Sequence, residues 1–204
     1  MLFSRTKKNV LCIKDNFMAK TMKIIAILSL LLTAICTLLH IKTENDILFT
    51  LAITFGTIAY HFCMRLLVGE VINALLHNKV DYNKKWFKVG KTELSLYNKL
   101  KVKNWKGKMP TYDKSLFDSN EHSWDEIAQA MCQSEIVHET IVAFSFLPII
   151  SAVWFGSLPV FIITSVLSAG FDLMFVVMQR YNRPRIIKLI KRNRKGVGSS
   201  EKSI

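Results

Sequence analysis

Apolar residues in this chain gather into four long blocks, 24–41, 47–68, 136–154 and 158–178, with polar stretches between them. A bilayer's hydrocarbon core of about 30 Å takes roughly 20 residues of α-helix, so each block predicts a transmembrane helix. The expected architecture is all-α, an integral membrane four-helix bundle. Its spans and the segment 77–135 between the second and third would form one membrane domain over 1–190, followed by a basic, partly disordered tail over 191–204. Arg5, Lys7, Lys8, Lys14, Lys20 and Lys23 precede the first block, as in a signal peptide. The block is longer than a signal core of about 7–15 residues, and "LLHIKTEND" lacks a small-x-small cleavage pattern, so an uncleaved anchor is expected.

The segment 77–135 mixes lysines with Trp86, Phe87, Tyr97, Trp105, Tyr112, Phe117 and Trp124. In a soluble chain that mixture suits single-stranded nucleic acid. Between two spans it suits the membrane surface, where Trp and Tyr favour the headgroup level and lysines face anionic lipid. No nucleic-acid partner is expected. Thr92 is the expected cap of a short interfacial helix with Leu94, Leu96, Tyr97 and Leu100 on one stripe. Gly107 and Pro110 mark a turn. Ser123 with Glu126 three residues on is a capping box, which predicts a helix that starts near Trp124 and continues into the third span. Pro148 should kink it.

Charge orients the bundle. The formal net charge is +13. Basic residues cluster before the first span and after the fourth, whereas Lys42 alone lies between the first and second. The positive-inside rule then puts both termini and 77–135 in the cytoplasm of a multi-pass cell-membrane protein.

Ionisable groups at mid-span cost about 2.5–3.5 kcal/mol each on insertion scales, so they face protein and find partners. This chain carries His61 and Arg65 in the second span, Glu135, His138 and Glu139 at the head of the third, and Asp172 in the fourth. At about 1.5 Å of rise per residue, His61 and Asp172 both lie about 21 Å in from the outer end of their helices. Asp172, Gln179 and Arg183 share a face, and Glu135 and His138 share another at i, i+3. Asp172 pairing with Arg65 or His61 merely to hold the helices together is one account. Convergence of all these groups on one cytoplasmic-side layer is the other, and it predicts a site. A carboxylate one turn from an imidazole is what general-base chemistry needs, since it fixes the tautomer and stabilises the imidazolium.

Metal chemistry fits less well. Di-metal carboxylate bundles use two E-x-x-H motifs and the chain has one, while the H-E-x-x-H of zinc proteases fails at Val142. No metal and no cofactor are expected. Cys12, Cys36, Cys63 and Cys132 form no C-x-x-C pair and read as packing residues.

The strings "SEIVHE" (134–139) and "QRYNRPRIIKL" (179–189) together resemble the glycosyl-4,4'-diaponeurosporenoate acyltransferase family, and the resemblance extends over about residues 82–190. It implies a membrane enzyme of carotenoid (staphyloxanthin-type) biosynthesis, which esterifies a fatty acyl chain onto a sugar hydroxyl of a glycosylated apocarotenoid or similar glycolipid. Matching positions are Glu135, His138, Gln179, Arg180, Tyr181, Asn182, Arg183, Pro184 and Arg185; His61 and Arg65 lie outside it. An acyl donor such as acyl-CoA or acyl carrier protein is oily at one end and phosphorylated at the other. Pro184 is therefore expected to stop or bend the helix near Asn182, aiming Arg180, Arg183 and Arg185 at phosphates. Glu135 would orient His138 as the base, with Asn182 or an Arg at the oxyanion. Gln179, Arg180, Tyr181, Arg183, Arg185, Asp172, His61 and Arg65 would line the substrate site. Two rivals are a small integral-membrane lipid methyltransferase and a non-catalytic protein that binds anionic lipid through its basic tail.

Overall fold

The computed structural model describes residues 17–105 and 115–200. Helix α1 spans Phe17–Thr43, α2 Asp46–Leu76, α3 Lys91–Lys99, α4 Trp124–Phe144, α5 Ala152–Phe155 and α6 Leu158–Ser200. No strand occurs among the described residues, and four helical stretches, Met18–Thr43, Asp46–Leu76, Trp124–Phe155 and Leu158–Arg194, are long and apolar enough to cross a membrane. The all-α reading with four spans therefore holds.

Local chemistry sets the helix ends. Asn45 caps α2 by accepting from the Ile47 amide at 2.9 Å, directly after α1 stops at Thr43. His77 ends α2 in the left-handed region at φ 48°. The Ser123–Glu126 box forms as expected, with the Glu126 carboxylate accepting from the Ser123 amide at 2.8 Å. Pro148 interrupts the third span: α4 stops at Phe144, a 3-10 turn runs through Leu147–Ser151, and α5 follows. The cap of α3 is a correction. Gly90, not Thr92, is the N-cap, and its amide donates to Glu93 at 3.4 Å.

Pro184 is a second correction. It lies inside α6, which continues to Ser200, so the helix neither stops near Asn182 nor leaves 196–200 irregular. A proline inside a helix loses one hydrogen bond and crowds the carbonyl four residues back, at about 3 kcal/mol, and the buried ion pairs and contacts of the flanking turns offset that cost. The turn expected at Gly107 and Pro110, and the basic residues Arg5, Lys7, Lys8 and Lys14, lie outside the described residues.

The helices pair in a fixed order: α1 packs on α2, α4 packs on α6, and α2 touches both α4 and α6. Helices α4 and α6 run antiparallel along a seam of polar contacts. Ser145 meets Ser168 at 3.0 Å, His138 meets Asp172 at 2.8 Å, Ser134 meets Gln179 at 3.2 Å and Asp125 meets Arg194 at 2.8 Å. Buried Ala128, Ser145, Ser165, Ser168 and Ala169 are small enough to let the two backbones approach. Helix α2 follows the same levels. Its Tyr60 hydroxyl donates to the Phe144 carbonyl at 2.9 Å, and its Asn73 side chain accepts from Gln133 at 3.1 Å. Beyond Leu76, α4 and α6 continue, and the described part of the chain that follows α2 packs against them. Val80, Phe87 and Cys132 form one small buried cluster there, and Tyr97, Val102 and Tyr181 another. Outward faces stay apolar and uncovered, as Ile24, Leu31 and Leu38 on α1 show, which suits lipid contact.

Candidate active site

Two buried polar assemblies lie along the α4–α6 seam, at different depths. The deeper one centres on Asp172, which is 1% exposed. Arg65 of α2 donates to Asp172 Oδ2 through Nε at 2.9 Å and Nη2 at 2.6 Å, and Nη2 also reaches Ser168 Oγ at 2.8 Å. The other oxygen, Oδ1, accepts from His138 Nδ1 at 2.8 Å. A carboxylate only accepts, so Nδ1 carries a proton, and whenever the ring is neutral the free lone pair lies on Nε2. The imidazole stacks on Phe175, with centroids 4.5 Å apart and planes 7° apart, which fixes its plane as well. It is 21% exposed, unlike its carboxylate partner. His61 is buried one turn before Arg65, and neither of its ring nitrogens has a hydrogen-bond partner.

The second assembly centres on Glu135, which is fully buried. One oxygen accepts from Arg180 Nη1 at 2.6 Å and the other from Arg183 Nη1. Arg183, also fully buried, donates onward to the Phe87 carbonyl at 2.6 Å and sits over the Phe87 ring at 5.0 Å. Arg180 bridges to Glu93 of α3 through Nε and Nη2, and to the Trp86 carbonyl at 3.2 Å. The Tyr97 hydroxyl donates to the same Glu93. Burial alone would raise the Glu93 carboxyl, but hydrogen bonds from Arg180 and Tyr97 outweigh it and hold the group below its ordinary range. Burial and the Glu93 carboxylate push the Tyr97 phenol up to about 12.

Several expectations change on this geometry. The carboxylate that orients His138 is Asp172, because Glu135 is taken up by two guanidiniums. Arg180 and Arg183 are already paired with carboxylates, the buried Glu135 and the partly buried Glu93, rather than aimed outward at phosphates. Arg185 folds back instead, its Nη2 donating to the Tyr181 hydroxyl at 2.7 Å. Asn182 donates to the Met178 carbonyl of its own helix at 3.0 Å and lies ten residues beyond Asp172, about 15 Å along the axis. It is not brought to His138. Gln179 meets Ser134, so it fastens the seam between the two levels. The single converging layer is thus two: His61, Arg65, His138 and Asp172 in one, and Glu135, Arg180 and Arg183 in the other.

Glu93, Trp86 and Phe87 were missed as contributors to these assemblies. One signal was present: Glu93 is the sole acid between Asp81 and Asp113, in a stretch dense with lysines. Among the described residues no group of three or more His, Cys, Asp or Glu is arranged to hold a metal.

No curated protein and no solved structure gives a match to the chain. The model of the glycosyl-4,4'-diaponeurosporenoate acyltransferase family matches residues 82–192. That stretch carries Trp86, Glu93, Glu135, His138, Asp172, Arg180 and Arg183, while His61 and Arg65 fall before it. With just over half of its residues matched, Asp172, His138 and the whole Glu135 assembly among them, the chain belongs to the glycosyl-4,4'-diaponeurosporenoate acyltransferase family.

Proposed function

We propose that this protein transfers a fatty acyl chain from a thioester, acyl-CoA or acyl carrier protein, to a sugar hydroxyl of a glycosylated apocarotenoid or similar glycolipid, with His138 as general base. The observation that carries the reading is the Asp172–His138 contact at 2.8 Å, between a buried carboxylate and a partly open imidazole. Nε2 takes the proton of the acceptor hydroxyl as its oxygen bonds to the acyl carbonyl carbon. The tetrahedral intermediate then collapses, the C–S bond breaks, and the imidazolium returns its proton to the departing thiolate. Asp172 steadies the imidazolium, and Arg65 keeps the carboxylate from swinging off the ring. Three helices thus fix one base, which is the preorganisation that acyl transfer rewards. The basic ends of the chain favour a cytoplasmic location for this end of the bundle, where such donors occur.

The test uses protein in lipid nanodiscs, supplied with a long-chain acyl thioester and a glycosylated lipid acceptor, with ester followed by mass spectrometry. Removing a positioned general base typically costs about 10²–10⁴ in rate, so His138→Ala should lose about that factor. Asp172→Asn should lose a comparable factor. Helix content and melting of each variant separate lost chemistry from lost folding. Ester formation by a folded His138→Ala protein at near-normal rate would overturn the assignment.

A further inference from the structure

One aromatic on the wrapping segment is held in place yet left open. Trp86 lies in the 3-10 turn Lys85–Phe87 and is 66% exposed, whereas Phe87 beside it is 5% exposed. Trp86 is anchored at two points. Its indole Nε1 donates to Glu139 Oε2 at 2.9 Å, and its carbonyl accepts from Arg180 at 3.2 Å. Glu139 directly follows His138 on α4. Its other oxygen takes no hydrogen bond from the described residues.

We infer that Trp86 and Glu139 form the subsite for the acceptor's sugar, an inference that rests on the acyl-transfer reading above. A pyranose has one face of C–H groups and an edge of hydroxyls. It needs a flat apolar surface at one side and a hydrogen-bond acceptor at the rim. Trp86 offers the surface without the entropy cost of fixing a mobile side chain, because both of its anchors are already made. Glu139 offers the acceptor through its open oxygen. Glu139 and His138 leave α4 at one level, about 1.5 Å apart in rise and about 100° apart around the axis, so the sugar would lie beside the base at the same depth, while the lipid part of the acceptor stays along the uncovered apolar face of the helices. An indole that served only to sit among lipid headgroups would aim its N–H at them. Here the N–H is spent on a protein carboxylate.

The experiment measures acceptor and donor KM in nanodiscs with a long-chain alkyl β-glucoside as acceptor. Trp86→Ala should raise the glucoside KM by about tenfold or more, with donor KM within about twofold. Trp86→Phe keeps a ring face but no N–H and should recover most of the loss; Glu139→Gln should fall between them. A second arm needs no turnover: saturation-transfer NMR of the same glucoside without donor. Sugar-ring protons should receive saturation from the wild type and lose it in Trp86→Ala, while an alkanol of equal length is unaffected by the change. Absence of ester from every acceptor would count against acyl transfer, and the NMR arm would still report on the subsite. Equal glucoside binding by wild type and Trp86→Ala would overturn the subsite and leave the indole as a membrane-surface anchor.

Discussion

Glu135 illustrates why a charge buried in such a bundle is an all-or-none proposition. It pairs with two guanidiniums, and removing it leaves the fully buried Arg183 with no carboxylate, while Arg180 keeps Glu93. Breaking a buried pair from one side typically costs about 3–5 kcal/mol because the remaining charge is left uncompensated. Glu135→Leu should therefore destabilise the protein by about that amount. Arg180→Met should cost less, since Arg183 still faces Glu135. Denaturant or thermal unfolding in nanodiscs orders the two; an equal or reversed order would show that Arg180 is the principal partner. Residue types and spacing disclosed that Glu135, His138 and Asp172 would turn inward among polar partners, because the membrane forbids other fates, but they pointed Arg183 at phosphates rather than at a buried carboxylate. They did not disclose who pairs with whom. Glu135 and His138 share a helix face, but the partner across the α4–α6 seam is nearer to each than they are to one another, and that register is a tertiary fact.

Among the elements, the segment that wraps the seam is the least self-sufficient. Helix α3 has nine residues, too few to stand alone in water, and it is fastened by Glu93 and Tyr97. Glu93 titrates below its ordinary 4.5 when docked, so its contribution is present above that value and is lost as pH falls through the lower docked value. Tyr97 runs the other way. Its contribution is complete below the free phenol's 10.0 and is lost as pH rises toward about 12. Amide exchange of 91–99, relative to α4, should thus be slowest across the middle of the pH scale and accelerate beyond both limits, after correction for intrinsic rates. Glu93→Gln should remove the acid limb of that profile; an unchanged limb would place the acid sensitivity elsewhere. Helix boundaries were legible where a hydroxyl side chain wrote the cap, as at Ser123, and where proline lacked compensation, as at Pro148, but not at Gly90, which has no side chain to announce the cap. Pro184 misled because Arg180 and Arg183 before it and Arg194 after it, which meets Asp125 at 2.8 Å, tie the helix down on both sides.

For the whole molecule, hydrophobic block length disclosed the number of spans, and it did so because lipid leaves helices no alternative way to satisfy their backbones. Sidedness rests on charge, and it yields a direct test. In a cysteine-free background, Asn193→Cys should react with a membrane-impermeant thiol reagent only after cells are opened, and Asn45→Cys should react in intact cells. The opposite pattern would invert the bundle and put the donor's approach on the other side. Helices α1 and α2 lie wholly outside the family match, yet Arg65 of α2 completes the Asp172 contact set. The matched region therefore does not by itself hold every side chain around the base.

Asp172 sends one oxygen to the imidazole on α4 and the other to the guanidinium on α2. On the general-base proposal, charge taken up by the ring would be felt through a single carboxylate by the opposite rod. Reactivity and assembly would then share one hinge pin, and a change that retuned the base would also loosen or tighten the frame.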